Sequence, residues 1–267
     1  MPARWPSRLE KSIKRKLKLL YYVKKMTLPQ IAVALAIPES TAYARFSRLG
    51  LKADPSRKIN ISGRKKIVLP RFSARLAEFI GIMLGDGHIS PSQVVVTLGT
   101  KEKQYGDFVA KLFFSLFGLQ FKKISNAKKG YLTLYVGSMD ILDFLKQMGL
   151  VENKVKYQID IPSWIFKKHE YMKSFLRGLF DTDGSIYRLR FGWQISYCNR
   201  SLRLLKGIRL MLLLLNFSPS QISGYNIYLT RRRDLLRFAR EIWSKNLGKQ
   251  QRFSTMGGWV SSYTTAL

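Results

Sequence analysis

Two segments of the chain share one pattern of apolar, small and acidic positions. Residues 76–87 read LAEFIGIMLGDG, and residues 173–184 read KSFLRGLFDTDG. Each predicts an apolar helix with a small residue at every fourth position, followed by an aspartate and a glycine. Residues four apart lie on one helix face, so two such faces can pack closely. The small residues are Ala77, Gly81 and Gly85 in the first segment and Ser174, Gly178 and Thr182 in the second.

Packing of these two helices side by side would place Asp86 and Asp183 together. Both helices end there, so the helix dipoles are negative and the last carbonyl groups lack partners. Two carboxylates and free carbonyls make a site for a hard divalent cation such as Mg²⁺. The alternative is that each aspartate is only a turn residue, because Asp-Gly is a common turn pair. The repetition of the pattern in matching units favours the metal role.

The two segments belong to an internal duplication that begins after residue 72. The alternation of Trp193, Ile195 and Tyr197 with polar residues is typical of a strand. The pattern predicts an α+β fold made of an αββαββα unit present twice, with subdomains at 73–163 and 164–267. The first unit has predicted helices at 73–85, 103–117 and 138–149 and strands near 87–90, 93–99, 120–126 and 130–136. The second has predicted helices at 169–182, 200–215 and 232–243 and strands near 184–191, 193–199, 219–223 and 225–230.

A small all-α domain is predicted before the duplication, at residues 1–55. A basic helix covers 8–25, a second helix is capped by Thr27, and a third covers 41–49. The last two resemble the helix-turn-helix of DNA-binding regulators, and an ordinary helical hairpin is the alternative. In the first interpretation the residues expected to contact DNA are Ser40, Thr41, Tyr43, Arg45 and Arg48. A basic linker is predicted at 56–72.

The charge of the chain indicates a polyanionic partner. The 267 residues contain 47 Lys and Arg against 16 Asp and Glu, which gives a net charge of +31. A thermophile's charged surface would balance lysine with glutamate, and glutamate is scarce here. Nucleic acid fits better than a membrane surface. Residues 1–75 hold 19 Lys and Arg against 3 acids, and the rest is also basic, so both parts are expected to contact nucleic acid.

The remaining composition narrows the class of protein and of metal site. Cys198 is the single cysteine, which excludes a disulfide within the chain and a cysteine-rich zinc site. The two histidines, His88 and His169, are too far apart in sequence to form a histidine motif. The longest apolar stretch, 211–215, is too short to span a bilayer, so no membrane association is expected. A reducing cytoplasm is the expected location.

In its two apolar motifs that end in Asp-Gly, the chain resembles the LAGLIDADG homing endonucleases of the monomeric, two-motif type. The phrase FLRGLFDTDGS at 175–185 matches the family motif specifically, and IGIMLGDG at 80–87 matches it more loosely. The stretch from Asn153 to Pro162 is similar to a block that precedes the second motif in this family. The resemblance covers roughly residues 72–267, and the helix-turn-helix lies outside it.

The resemblance implies a fold and a metal site. The two motif helices would form the central interface, and two curved antiparallel sheets would form a saddle over the major groove of double-stranded DNA. Asp86 and Asp183 map to the acids that bind the divalent metal, Mg²⁺ or Mn²⁺. Gly85 and Thr182 precede them and would add backbone carbonyls. Asp181 has Leu84 as its counterpart in the first motif, so a symmetric role for Asp181 is not implied.

Family members also place a basic residue near each metal. Lys154 is the candidate in the first half, with Lys156 as an alternative, and Lys249 in the second half, with Lys245 as an alternative. In so basic a chain, each lysine can equally be a plain phosphate contact. Base contacts would come from the strands, whose phase one sequence does not fix. The strand residues expected to contact DNA are Lys123, Arg188, Arg190, Gln194 and Ser196, with Thr97 and Ser125 as further candidates.

Three functions fit this sequence. The leading one is a site-specific DNA endonuclease of the intron-homing kind, which cuts both strands as a monomer with internal pseudo-twofold symmetry. The second is a transcription regulator that binds DNA through the same fold without cutting. The third is a maturase that binds intron RNA, because basic sheets also bind structured RNA.

Overall fold

The computed structural model describes residues 7–52, 54, 67, 69–154 and 156–264, with the side chains of 7–10 and 258–264 excepted. The chain divides into two compact units, residues 1–65 and residues 66–267. Most of the predicted linker at 56–72 lies outside the described residues. In the parts of the chain that are described, no helix is both long and apolar enough to cross a membrane.

The first unit is a small helical bundle. Helix α1 (Ser7–Lys18) continues into a π-helical turn (Leu19–Val23), and α2 (Leu28–Ala34) and α3 (Glu39–Arg48) follow. Thr27 caps α2, because its hydroxyl oxygen accepts from Gln30 N at 3.4 Å while its own N–H donates to Gln30 Oε1 at 2.8 Å.

The core of this unit joins all three helices. It contains Leu17, Tyr21, Ile31, Phe46, Leu49 and Leu51. Helix α3 begins at Glu39, two residues before the predicted start, because Pro38 supplies the first helical carbonyl: the N–H groups of Thr41 and Ala42 donate to it at 3.0 and 3.2 Å.

The second unit carries the predicted duplication. In its first half α4 (Ala74–Leu84), β1 (Gly87–Ile89), β2 (Val94–Gly99), α5 (Lys103–Phe117), β3 (Lys122–Asn126), β4 (Tyr131–Val136) and α6 (Met139–Gln147) follow in order. The second half has α7 (His169–Asp183), β5 (Gly184–Leu189), β6 (Gly192–Cys198), α8 (Leu202–Leu214), β7 (Asn226–Leu229), α9 (Arg232–Glu241) and α10 (Leu247–Thr264). The predicted α+β class with two antiparallel sheets is confirmed.

Each half contains one antiparallel sheet. The first has the strand order β1-β2-β4-β3, and the second has the order β5-β6-β7. One face of each sheet packs into the core shared by both halves. In the first sheet Val96 and Leu98 lie opposite Leu134 and Leu132 on this face, and in the second Ile186 lies opposite Ile195. The opposite face of each sheet, the outer face, is free of this core.

The predicted strand near 219–223 is not a strand within the described residues. Pro219 has no N–H to donate, and Ser220 meets Tyr228 partly through its side chain: Ser220 N donates to Tyr228 O at 2.9 Å, while Tyr228 N donates to Ser220 Oγ at 3.0 Å. An isolated bridge between Ser223 and Asn226 is what remains of the ladder there.

Helix α10 was not predicted. Its sequence is rich in glycine, serine and threonine, which are weak helix formers. The helix is held by tertiary contacts, because Phe253 and Met256 are buried in the common core. The Phe253 ring lies 5.7 Å from that of Phe180 on α7 and 6.1 Å from that of Phe238 on α9.

Helices α4 and α7 pack directly against each other through their small residues, as predicted. A Cβ atom on Gly178 would collide with the backbone carbonyl of Glu78, and one on Gly81 would collide with the carbonyl of Phe175. Both collisions are with backbone, which cannot rotate away. The two helices are therefore as close as glycine permits.

A buried ion pair crosses the same interface. Arg177 Nε donates to Glu78 Oε1 at 2.7 Å, and Arg177 Nη2 donates to Glu78 Oε2 at 2.8 Å. Glu78 is 4% exposed, so this bidentate pair fixes the register of α4 against α7 from within the core. Arg177 thus has a structural contact at the helix pair.

We expect Gly178→Ala to destabilise the protein by about 1–3 kcal/mol, because the added methyl group meets backbone in a filled core. The measurement is urea unfolding followed by circular dichroism. Gly257→Ala is the matched control, since a Cβ at this helical glycine meets nothing within 4 Å. That control should gain up to about 1 kcal/mol from helix propensity. Equal stability changes in the two variants would contradict the close approach.

Candidate metal and nuclease site

The close packing of α4 and α7 brings Asp86 and Asp183 to one place. Asp86 follows Gly85, which ends α4, and Asp183 is the last residue of α7. A Cβ on Gly85 would lie 3.5 Å from Asp183 Cγ and would overlap the Thr182 side chain. The structure therefore brings together the two sequence segments that were predicted to hold the metal.

The two carboxylates disfavour each other's charge. The pKa of Asp86 is raised to about 6, chiefly by burial and then by the charges of Asp183 and Glu102, against the opposing charges of Lys249 and Lys154. Burial also raises the pKa of Asp183, against a hydrogen bond from Asn199 Nδ2 to Asp183 Oδ2 at 2.7 Å. A divalent cation between the carboxylates would relieve this repulsion.

The side chain of Lys154 contacts the C-terminal end of α4. Its ammonium group donates to the carbonyl oxygens of Leu84 at 3.0 Å and Gly87 at 2.6 Å, and also to that of Gly85. Leu84 and Gly85 lie at the end of α4, where carbonyls lack helical partners and a cation is favoured by the helix dipole, and Gly87 is the first residue of β1. Burial lowers the pKa of Lys154, whereas Asp183 and Asp86 raise it.

Lys249 makes the equivalent contact in the second half. Its ammonium group donates to the carbonyl oxygen of Phe180 at 2.5 Å and to that of Thr182 at 3.4 Å, at the end of α7. Burial lowers the pKa of Lys249. Among the acidic neighbours that raise this pKa, Asp181 has the largest effect. At the end of each motif helix there is thus one aspartate and one half-buried ammonium group.

The oxygen atoms at this site suit Mg²⁺. Among the described residues no group of three or more His, Cys, Asp or Glu side chains is clustered to hold a metal. Mg²⁺ is commonly bound through one or two carboxylates, with water and substrate phosphates as its other ligands. The predicted carbonyl ligands Gly85 and Thr182 accept hydrogen bonds from Lys154 and Lys249 in the structure, and each carbonyl keeps a second lone pair.

In the first sheet the candidate Thr97 of β2 lies on the outer face, opposite Thr133, but the candidates on β3 do not. Lys123 pairs with Leu134, whose side chain is in the core, so it lies on the face covered by helices. There it forms an ion pair with Asp107 of α5. The strand phase is displaced by one residue from the expectation, and Lys122 lies instead on the outer face, opposite Tyr135.

In the second sheet, the residues expected to contact DNA do not all lie on the same face. Gln194 and Ser196 lie on the outer face, opposite Tyr187 and Ser185. Arg188 lies opposite the buried Trp193, so its strand position belongs to the core-facing side, although its side chain is exposed at the strand end. Arg190 is exposed in the turn between β5 and β6.

Helix α3 of the first unit carries the other expected contact residues. Ser40, Tyr43 and Arg48 are exposed, whereas Thr41 and Arg45 are half-buried. Arg45 and Arg48 lie in the last turn of the helix.

Sequence reasoning missed several polar residues around the site. Asn199 bonds directly to Asp183, and the buried residues Asp181, Ser244 and Asn246 form a network beside Lys249. Asp181 was set aside because its counterpart is Leu84. A signal did exist, since three polar residues interrupt the sequence between the apolar segments of α9 and α10 at 244–246. Their burial depends on contacts that only the fold creates.

The family comparison matches the second half of the duplicated unit. Residues 170–243 match the model of the LAGLIDADG-like domain family. This range contains α7 with Asp183, the second sheet, and α8 and α9.

Two curated proteins of Methanocaldococcus jannaschii are similar to parts of the chain. A replication factor C small subunit is 27% identical over 135 residues, which are 48% of this chain and 7% of that protein. A glutamine–fructose-6-phosphate aminotransferase is 30% identical over 116 residues, which are 42% of this chain and 10% of that protein. The matched part of the chain thus spans a small fraction of these relatives.

Solved structures of LAGLIDADG proteins also resemble the chain. I-DmoI in complex with DNA and Mn has a TM-score of 0.48 at 16% identity, covering 64% of this chain and 97% of that chain. The N-terminal LAGLIDADG domain of DUF199/WhiA has a TM-score of 0.44 at 16% identity, covering 65% and 86% of the two chains. The resemblance that the sequence motifs indicated is confirmed, and residues 170–243 of the chain carry a LAGLIDADG-like domain.

Proposed function

We propose that the chain is a site-specific endonuclease that hydrolyses both strands of double-stranded DNA with Mg²⁺ or Mn²⁺. The observation that carries this proposal is the pair of half-buried aspartates, Asp86 and Asp183, held together where two close-packed helices end. The pKa of both carboxylates is raised, and carboxylates with perturbed pKa values are typical of functional sites. The net charge of +31 supports a nucleic-acid substrate.

The residues of the site have distinct roles in this proposal. Asp86 and Asp183 would hold the divalent cations, which when bound would supply an activated water and a counter-charge for the phosphate. Lys154 and Lys249 present one ammonium group to each scissile phosphate, where negative charge grows in the transition state. Because each half contributes one aspartate and one lysine, the pair of half-sites matches the two strands of the duplex.

Binding would use the outer faces of the two sheets. In the second sheet this face offers Gln194, and glutamine can make bidentate contacts with adenine in the major groove, whereas Ser196 on the same face is buried. Arg188 and Arg190 at the strand end and turn are placed to meet phosphates or base edges. In the first unit the exposed side of α3, with Ser40, Tyr43 and Arg48, is proposed as a second contact with DNA, as in a helix-turn-helix.

A non-cleaving regulator is the second candidate. The observation that favours it is the capped α2 and basic α3 of the first unit, a pair of helices that phosphodiester hydrolysis does not need. Such a protein would bind one DNA sequence equally well with EDTA present. Retained stimulation of intron RNA splicing by Asp183→Asn would instead favour a maturase.

We expect Asp86→Asn and Asp183→Asn each to reduce Mg²⁺-dependent DNA cleavage by at least about 100-fold, because an amide is a poor ligand for a hard cation. The measurement is cleavage of a randomised duplex library by the full chain, with the fragment ends sequenced. Lys123→Ala is the control, since Lys123 lies on the helix-covered face, and it should cleave at the wild-type rate.

Defined double-strand breaks by the wild type that persist in both aspartate variants would contradict the proposal. Selective retention of one duplex without breaks would favour the regulator.

The raised pKa of Asp86 predicts a stability change in the metal-free protein. In the unfolded chain its pKa is near 3.8, and in the folded chain it is about 6, so the folded state binds the proton more tightly. Stability from this group is therefore present at low pH and lost as pH rises through about 6. At about 1.4 kcal/mol per pKa unit, the loss by pH 8 is at most about 3 kcal/mol.

We accordingly expect Asp86→Asn to be more stable than the wild type in EDTA at pH 8, with the difference shrinking toward pH 5. Thermal unfolding at several pH values measures this. Added Mg²⁺ should raise the melting temperature of the wild type at pH 8 and have little effect on the variant. Asp140→Asn, a substitution of an exposed acid in α6, controls for net charge. A variant that is less stable than the wild type at pH 8 in EDTA would contradict this prediction, because it would show that the ionised Asp86 carboxylate does not destabilise the folded protein.

A further inference from the structure

One asparagine builds the first turn of α10, which carries Lys249. Asn246 is buried, and its backbone carbonyl accepts hydrogen bonds from Lys249 N at 3.0 Å and from Gln250 N at 2.9 Å. Its side-chain oxygen accepts from Gly248 N at 3.1 Å. Asn246 is therefore the N-cap of α10, and the position of Lys249 depends on it.

The side-chain amide of Asn246 also joins the two halves of the duplicated unit. Its Nδ2 donates to Glu102 Oε1 at 2.6 Å and lies 3.5 Å from the carbonyl oxygen of Asp181. Glu102 belongs to the first half, and its Oε2 accepts from Gly99 N at the end of β2 at 2.9 Å. Asp181 belongs to α7, two residues before Asp183.

The Asp181 carboxylate holds the segment that precedes α10. It accepts from Ser244 Oγ at 2.5 Å and from Lys245 N at 2.8 Å. Asp181 is 1% exposed and Ser244 is fully buried, so these charge-assisted bonds are made out of water. Residues 244–246 are thereby fixed on the end of α7.

The first half is built differently at the equivalent place. Leu84 stands where the second half has Asp181, and Lys154 reaches α4 from the loop after α6 rather than from a helix. The loop forms its own turn, in which Asn153 Oδ1 accepts from Lys156 N at 2.9 Å. The two lysines make similar contacts with different support.

We propose that Asn246 is a positioning residue for Lys249, with Asp181 and Glu102 as its anchors. The cap fixes the first turn of α10, and the two anchors fix the cap against α7 and β2. Without the anchors, the ammonium group of Lys249 leaves the carbonyl oxygens at the end of α7. The consequence for DNA cleavage rests on the proposed function. Loss of the anchors should impair the half-site that contains Lys249 and spare the half-site that contains Lys154.

The first test measures the lysine itself and needs no DNA cleavage. The full chain and its Asn246→Ser variant are treated with acetic anhydride, and the extent of labelling at each lysine is read by mass spectrometry. Serine keeps the helix cap but cannot reach Glu102. We expect the labelling rate of Lys249 to rise about fivefold or more, which is the size of change that the loss of one hydrogen bond can produce. The labelling rate of Lys154 should be unchanged. Ser254→Ala, on an exposed part of α10, should leave both rates unchanged.

The second test separates the two strands of a duplex that the wild type cleaves. Lys154→Met and Lys249→Met first identify which strand depends on which lysine. Asn246→Ser should then slow the Lys249-dependent cut by about tenfold or more, because small misplacements of a catalytic group are costly. Nicked duplex should accumulate. Glu102→Ala should behave in the same way, whereas Glu102→Gln, which keeps one acceptor oxygen for Asn246, should slow the Lys249-dependent cut less than Glu102→Ala does.

Unchanged labelling of Lys249 in Asn246→Ser would overturn the positioning role, as would equal increases at Lys154 and Lys249. Equal slowing of the two cuts would also overturn it. If the wild type cleaves no duplex at all, the proposed function fails, and the labelling result alone decides whether Asn246 positions Lys249.

Discussion

The approach of α4 to α7 at backbone contact is the constraint on which the rest of the structure depends. Gly81 and Gly178 leave no room for a side chain between the helices, so the two helix ends coincide. An alanine at either position would force the helices apart and would separate Asp86 from Asp183. The functional site is therefore a consequence of packing: the same residues that build the core interface determine the spacing of the two carboxylates.

The electrostatics of the site follow from that geometry. Two carboxylates and two ammonium groups lie half-buried where both helix dipoles are negative, and each lysine donates to backbone carbonyls at the end of its motif helix. The aspartates are left in an environment that raises their pKa values, which a divalent cation would reverse. Added positive charge between Asp86 and Asp183 would favour the ionised form of both carboxylates.

The sequence predicted the parts of this structure that local patterns encode. The four-residue spacing of small residues was sufficient to predict the α4–α7 interface, and strand alternation was sufficient to predict most of the two sheets. Lys154 and Lys249 were selected by family resemblance, and the structure places both at the helix ends, although their catalytic role remains a prediction. The assignment of Lys123 was displaced because the phase of a strand depends on tertiary contacts, here with Asp107.

Other features depend on contacts that lie far apart in sequence. Helix α10 has a weak intrinsic propensity and is stabilised by Phe253 and Met256 in the core. The link from Asn246 to Glu102 spans 144 positions, and no local pattern indicates it. Asp181, without a counterpart in the first motif, gains its structural role only through these distant partners.

The most direct test of the account is a double-mutant cycle on Mn²⁺ affinity, measured by electron paramagnetic resonance on the full chain at pH 8. If Asp86 and Asp183 hold metal jointly, each Asp→Asn substitution alone should remove most of the affinity, and the double variant should be little worse than either single one. Independent, additive losses would show that the two aspartates serve separate sites and would contradict the central claim.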